Sequence, residues 1–149
     1  MNGLPVLTDA SRRTLALAMT TAGRASAATI APEHLLVGLL LEPTQDAYAA
    51  LVRAGALPNQ LAELPRRLMP PLAAPEPGAG AGLAYTPRTK QAILAAASEA
   101  RLDGADAAAP RHLLRGLLQD AASPAALALH GIGVTLDALR NAGSGGSAP

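Results

Sequence analysis

One ten-residue segment occurs twice in this chain and constrains its fold more than any other feature. Residues 31–40 read Ala-Pro-Glu-His-Leu-Leu-Val-Gly-Leu-Leu, and residues 109–118 read Ala-Pro-Arg-His-Leu-Leu-Arg-Gly-Leu-Leu. Eight of the ten positions are identical, and the two copies lie 78 residues apart. A repeat of this kind indicates a duplicated structural unit whose copies pack against each other. We therefore expect two equivalent halves within the 149 residues.

The pattern within each half predicts four helices. Pro32 and Pro110 suit the first position of a helix, where a missing N–H costs no hydrogen bond. Thr8 and Thr86, also 78 residues apart, suit the N-cap of the helix before. Half of the residues are hydrophobic but none is Phe or Trp, and a core of Leu and Ala favours close-packed helices over a sheet. The sequence predicts an all-α fold of two tandem four-helix repeats, eight helices related by a pseudo-twofold axis.

Composition divides the chain into five parts. We expect a lead-in at 1–6, a first repeat at 7–68, a Pro/Gly/Ala-rich linker at 69–84, a second repeat at 85–142 and a flexible Gly/Ser-rich tail at 143–149. The linker composition can neither propagate a helix nor bury an apolar face, which predicts a mobile connection.

Three residues inside the predicted helices carry their own expectations. Pro65 predicts the end of the fourth helix, because the residue before a proline is disfavoured in the helical region. Gly38 and Gly116 are each unfavourable by about 1 kcal/mol relative to alanine in a helix interior. Their repetition at equivalent positions predicts a close approach of neighbouring helices.

No motif in the sequence points to catalysis, a metal or a cofactor. Cysteine is absent, no His-Glu-x-x-His motif occurs, and the glycines of residues 78–82 lack the Lys-Ser/Thr of a phosphate-binding loop. A net charge of +1 without a basic stripe argues against nucleic acid, and no apolar run approaches the roughly 18 residues of a membrane span. We expect no catalytic residue, metal ligand or cofactor, no membrane segment or signal peptide, and a cytoplasmic location.

The two repeats resemble the Clp N-terminal domain, also called the Clp repeat domain, of the bacterial Clp unfoldases. The similarity rests on residues 32–39, on their second copy at 110–117, and on Tyr85-Thr86-Pro87-Arg88, which is especially like the ClpC-type members. It covers about residues 7–142. The resemblance implies eight helices and a domain that receives substrate proteins or adaptor proteins for the ATP-dependent Clp protease, without ATPase activity of its own.

The resemblance also implies a candidate ligand site. In ClpC-like relatives the domain can receive proteins marked by phosphoarginine: a carboxylate pairs with the guanidinium, while helix N-terminal amides and a threonine hydroxyl hold the phosphate. The matching residues are Thr8 and Glu33 in the first repeat. The second repeat keeps Thr86 but has Arg111 in place of the glutamate, which predicts loss of that second site and attraction of an unmodified phosphate or carboxylate. The alternative for Glu33 is that it only stabilises the helix dipole.

A second candidate surface lies near the N-terminus. Family members use apolar grooves there for adaptors and for cyclic peptide antibiotics. In this chain Leu4, Val6 and Leu7 take the place of a phenylalanine that is frequent in the family, so the aromatic part of the antibiotic contacts is absent.

Two further sets of residues are expected to be structural. His34 and His112 repeat with the motif, and each is expected to pack at a helix start and bond a neighbouring backbone group. Arg66 and Arg67 are expected to form a solvated connection after the fourth helix rather than a patch for a partner.

Three functions remain open from the sequence. The first is a non-catalytic protein-binding module of the Clp system, with substrate proteins, adaptors and Clp unfoldase or protease subunits as partners. The second is a stand-alone decoy that sequesters toxic peptides or tagged proteins, and co-purification with Clp subunits separates it from the first. The third is an N-terminal fragment of an ATP-dependent unfoldase, which the native reading frame would reveal. We expect a monomer, because isolated domains of this family have no ring-forming module.

Overall fold

The computed structural model describes residues 5–145, which form eight α-helices, and the predicted all-α fold is confirmed. In chain order the helices are α1 Asp9–Arg24, α2 Pro32–Leu41, α3 Asp46–Arg53, α4 Pro58–Leu68, α5 Pro87–Leu102, α6 Pro110–Leu118, α7 Pro124–Gly131 and α8 Leu136–Gly145. The first four and the last four helices correspond to the two predicted repeats. Within residues 5–145, no single helix is long and apolar enough to cross a membrane, and α2 with α3 meets that criterion only as a pair bent by 96°.

The caps predicted for α1 and α5 are present. The hydroxyl oxygen of Thr8 accepts a hydrogen bond from the N–H of Ser11 at 3.1 Å, and Thr86 accepts one from Thr89 at the same distance. Each cap satisfies a backbone N–H that has no partner inside its helix. The two starts are therefore built in the same way, as the duplication requires.

The main helix pair of each repeat is α1 with α2 and α5 with α6. Gly38 of α2 lies against α1 so closely that a Cβ atom there would be 2.6 Å from the carbonyl oxygen of Thr14. Gly116 of α6 lies against α5 in the same way, where a Cβ atom would be 2.2 Å from the carbonyl oxygen of Ala92. The predicted close approach at both glycines is confirmed.

The two repeats exchange backbone hydrogen bonds across the pseudo-twofold axis. The N–H of Thr8 donates to the carbonyl oxygen of Ala108 at 3.0 Å, in the segment that leads into α6. The equivalent N–H of Thr86 donates to the carbonyl oxygen of Ile30 at 3.0 Å, in the segment that leads into α2. The start of the first helix in each repeat is thus fixed to the other repeat.

The core runs through both repeats and is made of aliphatic side chains. Helices α2 and α6 lie at its centre, since each contacts helices of both repeats. Their buried leucines are Leu35, Leu36, Leu39, Leu113, Leu114, Leu117 and Leu118. Burial of one such side chain contributes about 1.5–3 kcal/mol, so these positions supply much of the stabilisation.

Pro65 does not end α4, and the prediction that it would is wrong. The helix continues beyond it, and the N–H of Met69 donates to the carbonyl oxygen of Pro65 at 2.9 Å. A proline in this position removes one helical hydrogen bond. Leu61 and Leu64 before it and Met69 after it are buried, so packing on both sides holds the backbone helical.

The continuation of α4 also corrects the expectation for Arg66 and Arg67. Both lie in the last turn of the helix rather than in a connection after it. Arg66 is exposed and lies 3.7 Å from the carboxylate of Glu63, one turn earlier. An exposed pair of this kind contributes little to stability.

The linker contains no helix, as predicted, but it packs along α1 where we expected a mobile connection. Ala73 and Arg24 exchange two hydrogen bonds, from the Ala73 N–H at 2.9 Å and from the Arg24 Nε at 2.8 Å. Gly80, with a φ of 78°, lies where a Cβ atom would be 1.9 Å from the carbonyl oxygen of Met19. At Gly23 a Cβ atom would be 2.1 Å from the Gly80 nitrogen. We call residues 73–82 the strap.

The last helix extends into the segment predicted as a flexible tail. α8 ends at Gly145, so residues 143–145 continue the helix, and residues 146–149 lie outside the described part of the chain. An existing helix can extend by one hydrogen bond at a time, because its last carbonyl groups are already aligned. The Gly/Ser composition of residues 143–149 therefore did not reveal where α8 ends.

Candidate functional site

The start of α1 and the start of α6 line one pocket, which we call the α6 pocket. Its volume is about 380 Å³. Residues around it include Thr8, Thr44, Gln45, Asp46, Pro110 and Arg111. The structure therefore brings Thr8 of the first repeat together with Arg111 of the second.

The carboxylate of Asp46 already binds the N-terminus of α6. One of its oxygens accepts a hydrogen bond from the backbone N–H of Arg111 at 2.9 Å. The Arg111 guanidinium donates to both carboxylate oxygens, at 3.2 and 3.3 Å. A helix N-terminus and a cation both attract negative charge, and here a residue of the same chain supplies it. The carboxylate partner of Arg111 is thus internal.

Asp46 lies at the start of α3 but does not cap that helix. The N-cap position of α3 is Gln45, with a φ of 59°, and Asp46 is the first helical residue. Its side chain is therefore free to reach α6 in the other repeat.

The structure separates Thr8 from Glu33, which corrects their assignment to one site. α2 runs antiparallel to α1, since Gly38 packs at Thr14 and the carboxylate of Glu42 lies 3.8 Å from Arg13. Glu33 is therefore towards the opposite end of α1 from Thr8. At 1.5 Å per residue, the two are roughly 16 Å apart along the helix axes. A carboxylate and a hydroxyl at that separation cannot hold the two ends of one phosphoguanidinium group.

Thr86, not Thr8, is fixed to the start of α2. It hydrogen-bonds Ile30, three residues before Glu33. Glu33 is partly exposed, and no described residue makes a hydrogen bond or ion pair with its carboxylate. The position equivalent to Asp46 is Pro124, which has no carboxylate to offer the start of α2. The N-terminus of α2 therefore lacks the internal anion that α6 has.

The two repeated histidines have the structural role expected from the sequence. In both, Nδ1 accepts a hydrogen bond at 2.9 Å, from the N–H of Ala31 for His34 and from the N–H of Ala109 for His112. Burial lowers the pKa of both imidazoles, against the carboxylates of Glu33 and Asp103 that raise it. Each neutral ring then carries its proton on Nε2, and that of His112 donates to Asp103 at 2.9 Å.

A buried charge network in the second repeat was not predicted. Arg115, almost fully buried, donates to Asp103 at 3.0 Å and lies 4.0 Å from Glu99. Glu99 also accepts hydrogen bonds from Arg140 of α8 and from Gln119. Burial raises the pKa of Glu99, but these hydrogen bonds and the nearby arginines outweigh it and hold that pKa below its usual value. The network joins α5, α6 and α8.

One sequence signal could have revealed this network. Arg115 and Glu99 stand where the first repeat has Val37 and Thr21. A charge that replaces an apolar or neutral residue on a buried, repeated helix face requires a buried partner of opposite charge.

The apolar N-terminal surface is only partly as expected. Leu4 lies outside the described residues. Val6 is 71% exposed, whereas Leu7 is buried in the core and is therefore not available to a partner. Leu7 pairs with Ala108 of the other repeat, and this pairing explains its burial.

Among the described residues, no group of three or more His, Cys, Asp or Glu side chains is arranged to hold a metal ion. The geometry instead offers one helix start with an uncompensated carboxylate and one that is internally paired. The start of α2 suits a ligand that carries a cation next to an anion. At the start of α6, Asp46 already balances the charge of Arg111.

The second repeat matches a known family model, and most of the chain matches known sequences. Residues 84–144 match the Clp repeat (R) N-terminal domain. The chain is 30% identical over 137 residues to the chaperone protein ClpB of Oceanobacillus iheyensis and 31% identical over 137 residues to the negative regulator of genetic competence ClpC/MecB of Bacillus subtilis. Each match covers 89% of this chain and 16% of the relative, so the chain spans about one-sixth of the length of these relatives.

Solved structures show the same fold. The N-terminal domain of Hsp104 from Candida albicans superposes with a TM-score of 0.72 at 17% identity, covering 93% of this chain and 89% of that one. The N-terminal domain of the Clp-associated chaperone ClpD from Arabidopsis thaliana gives 0.67 at 18% identity, covering 97% of each chain.

Proposed function

Because the chain belongs to the Clp repeat N-terminal domain family, we propose that it is a non-catalytic protein-binding module of the Clp chaperone and protease system. Its partners would be substrate proteins and the adaptor proteins that deliver them. Support comes from the similarity to the N-terminal regions of ClpB and ClpC and from the shared eight-helix fold. We place the module in the cytoplasm as a monomer, and a light-scattering mass of twice 14.9 kDa would contradict the monomer.

The ligand we propose is phosphoarginine on a substrate protein, bound once per chain at the start of α2. The Glu33 carboxylate pairs with the guanidinium, while the backbone N–H of Glu33 and the hydroxyl of Thr86 face the phosphate. The observation that carries this proposal is the Glu33 carboxylate, which no described residue pairs with. The site joins both repeats, since Thr86 belongs to the second and Glu33 to the first.

The α6 pocket is not a second site of this kind. Arg111 repels the guanidinium of the ligand, and the carboxylate of Asp46 occupies the place of the phosphate. A phosphoarginine would have to displace an ion pair that is part of the fold. One molecule of ligand per chain is therefore expected.

Calorimetric titration with free phosphoarginine tests this function. We expect a stoichiometry near one and at least a tenfold loss of affinity in Glu33→Gln, because a hydrogen bond to a charged group contributes about 1.5–3 kcal/mol. Glu63→Gln, an exposed glutamate on α4, is the matched control and should bind as the parent chain does. Free arginine and inorganic phosphate serve as ligand controls. No binding, or binding that survives Glu33→Gln, would refute the proposed site.

A further inference from the structure

The phosphate of the proposed ligand needs a cation that the groups named so far do not supply. A phosphoryl group on a side chain carries a charge of about −1.5 to −2 near neutral pH. The backbone N–H of Glu33 and the hydroxyl of Thr86 are neutral, and the Glu33 carboxylate adds a further negative charge. Hydrogen bonds from a cation to a phosphate are stronger than those between neutral groups. A phosphoarginine site at the start of α2 therefore requires a cation beside Thr86.

The equivalence of the two repeats identifies this cation as Arg88. The α6 pocket is lined by Ala10, two residues after Thr8, and by Arg111. The residue 78 positions after Ala10 is Arg88, and the residue 78 positions before Arg111 is Glu33. Positions 88 and 33 therefore face the start of α2 as positions 10 and 111 face the start of α6. Among the positions equivalent to the lining of the α6 pocket, 88 is the one with a cation.

Arg88 is only weakly held by the residue that it contacts. Its Nε atom lies 3.5 Å from the carboxylate of Asp120, and the two side chains are 53% and 35% exposed. This separation is longer than an ordinary hydrogen bond, and an exposed ion pair contributes little to stability. The guanidinium of Arg88 can therefore leave Asp120 for a phosphate, whose oxygens match its planar fork of N–H groups.

Asp120 itself lies at the edge of the same place. Its carboxylate accepts a hydrogen bond from the N–H of Ala122 at 3.3 Å. Ala122 is equivalent to Thr44, which lines the α6 pocket. The side chain of Arg88 thus extends from the start of α5 towards the segment before α7, next to the position that the phosphate takes in the proposed site.

An exposed leucine adds an apolar side chain to these charges. Ala49 lines the α6 pocket, and the equivalent residue is Leu127 of α7, which is 59% exposed. The methylene groups of an arginine side chain bury their apolar surface against such a neighbour while the charged end stays free. The start of α2 therefore presents an anion, a cation and an apolar side chain, which match the three parts of a phosphoarginine side chain.

We infer that Arg88 is the residue that recognises the phosphate and so distinguishes phosphoarginine from unmodified arginine. Its guanidinium exchanges Asp120 for the phosphate, while Glu33 pairs with the guanidinium that both ligands share. This inference rests on the proposed function and names the residue that reads the modification. Asp120 acts as a competitor of the phosphate and lowers the affinity of the site.

Calorimetric titration of the full chain with free phosphoarginine tests the role of Arg88. Arg88→Gln should bind at least about tenfold more weakly, because a hydrogen bond to a charged group is lost. Arg88→Lys keeps the charge but not the planar fork, and it should recover part of the affinity. Arg101→Gln removes an arginine from the last turn of the same helix and serves as the matched control, with unchanged binding.

Asp120→Asn tests the competition and has the opposite sign. It keeps an oxygen that can accept from Ala122 but removes the charge, and it should raise the affinity about two- to fivefold, the range expected for loss of an exposed ion pair. This gain should vanish in the double variant with Arg88→Gln. Asp106→Asn, an exposed carboxylate in the segment before α6, should bind as the parent chain does.

The outcomes separate this inference from the proposed function. Binding that is weakened by Glu33→Gln but unchanged in Arg88→Gln would overturn the role of Arg88 and leave the proposed site intact. A gain in Asp120→Asn that persists without Arg88, or no gain at all, would overturn the competition between Asp120 and the phosphate. No binding of phosphoarginine by the parent chain would refute the proposed function and this inference together.

Discussion

Replacing Gly116 by alanine tests the helix contact on which the second repeat is built. The added Cβ atom would be 2.2 Å from the carbonyl oxygen of Ala92, where an ordinary contact is about 3.5 Å. α6 must therefore move away from α5 by more than about 1 Å. Overpacking that shifts the backbone costs about 1–3 kcal/mol. This case lies at the upper end, because the atom that the Cβ meets belongs to the backbone of α5 and cannot rotate away as a side chain could.

The gain in helix propensity offsets part of that cost. Alanine is favoured over glycine in a helix interior by about 1 kcal/mol. The net expectation is a loss of about 2 kcal/mol in the free energy of unfolding. For a chain of this length that corresponds to a fall in Tm of about 4–8 °C.

The assay is thermal unfolding followed by circular dichroism, with Gly131→Ala as the matched control. Gly131 is the last residue of α7, and a Cβ atom there would have no neighbour within 4 Å. This control should leave Tm unchanged or raise it slightly. If Gly116→Ala is as stable as the parent chain, the proposed backbone contact between α5 and α6 is refuted.

Three further predictions concern charge. Burial lowers the pKa of His34 and of His112 in the folded chain. Below about pH 6.5 the unfolded chain therefore binds more protons than the folded one, and the free energy of unfolding decreases as the pH is lowered. Urea midpoints at pH 7.5 and 5.5 should show this fall, and His34→Gln should reduce it; an unchanged fall would argue against the neutral ring. Arg115→Met leaves the carboxylates of Asp103 and Glu99 without their buried cation and should lower the free energy of unfolding by about 3 kcal/mol or more, measured by urea unfolding. An unchanged free energy of unfolding would show that the two carboxylates do not depend on Arg115. Asp46→Ala combined with Arg111→Glu gives α6 the arrangement of α2, and the phosphoarginine stoichiometry in calorimetry should rise from one to two; a value that stays at one would mean that Asp46 and Arg111 do not close the α6 pocket.

Local signals predicted the helices well. Thr8 and Thr86 cap helices because their hydroxyls reach the free N–H groups, and this needs only residues within one turn. The repeated Gly38 and Gly116 indicated the close helix contacts, since a costly residue kept twice at one position serves packing. The repeated histidines were also interpreted correctly, because their partners are three residues away.

Pairing between the repeats could not be predicted from the sequence. The 78-residue offset shows which positions are equivalent but not whether a segment packs within its own repeat or against the other one. Thr8 binds Ala108, and Thr86 binds Ile30, so the site residues pair across the repeats. The assignment of Thr8 with Glu33 assumed the opposite arrangement.

Two other departures have the same origin in long-range packing. Pro65 lies inside α4 because Leu61 and Leu64 are buried, and a local rule does not see that burial. The strap lacks helix as its composition predicts, yet it is held on α1 because Gly23 and Gly80 leave room for direct backbone contact. Composition alone could not identify the partner of those glycines.

The most direct test of the central claim is an NMR titration of the ¹⁵N-labelled chain with free phosphoarginine. The claim is a single site at the start of α2 that is shared between the repeats. It predicts saturable shifts at the backbone N–H groups of Glu33 and Thr86, with Thr8 and Arg111 unchanged. Shifts at Thr8 and Arg111 without any at Glu33 would place the ligand in the α6 pocket and contradict the claim, and an absence of shifts would show that this chain does not bind phosphoarginine.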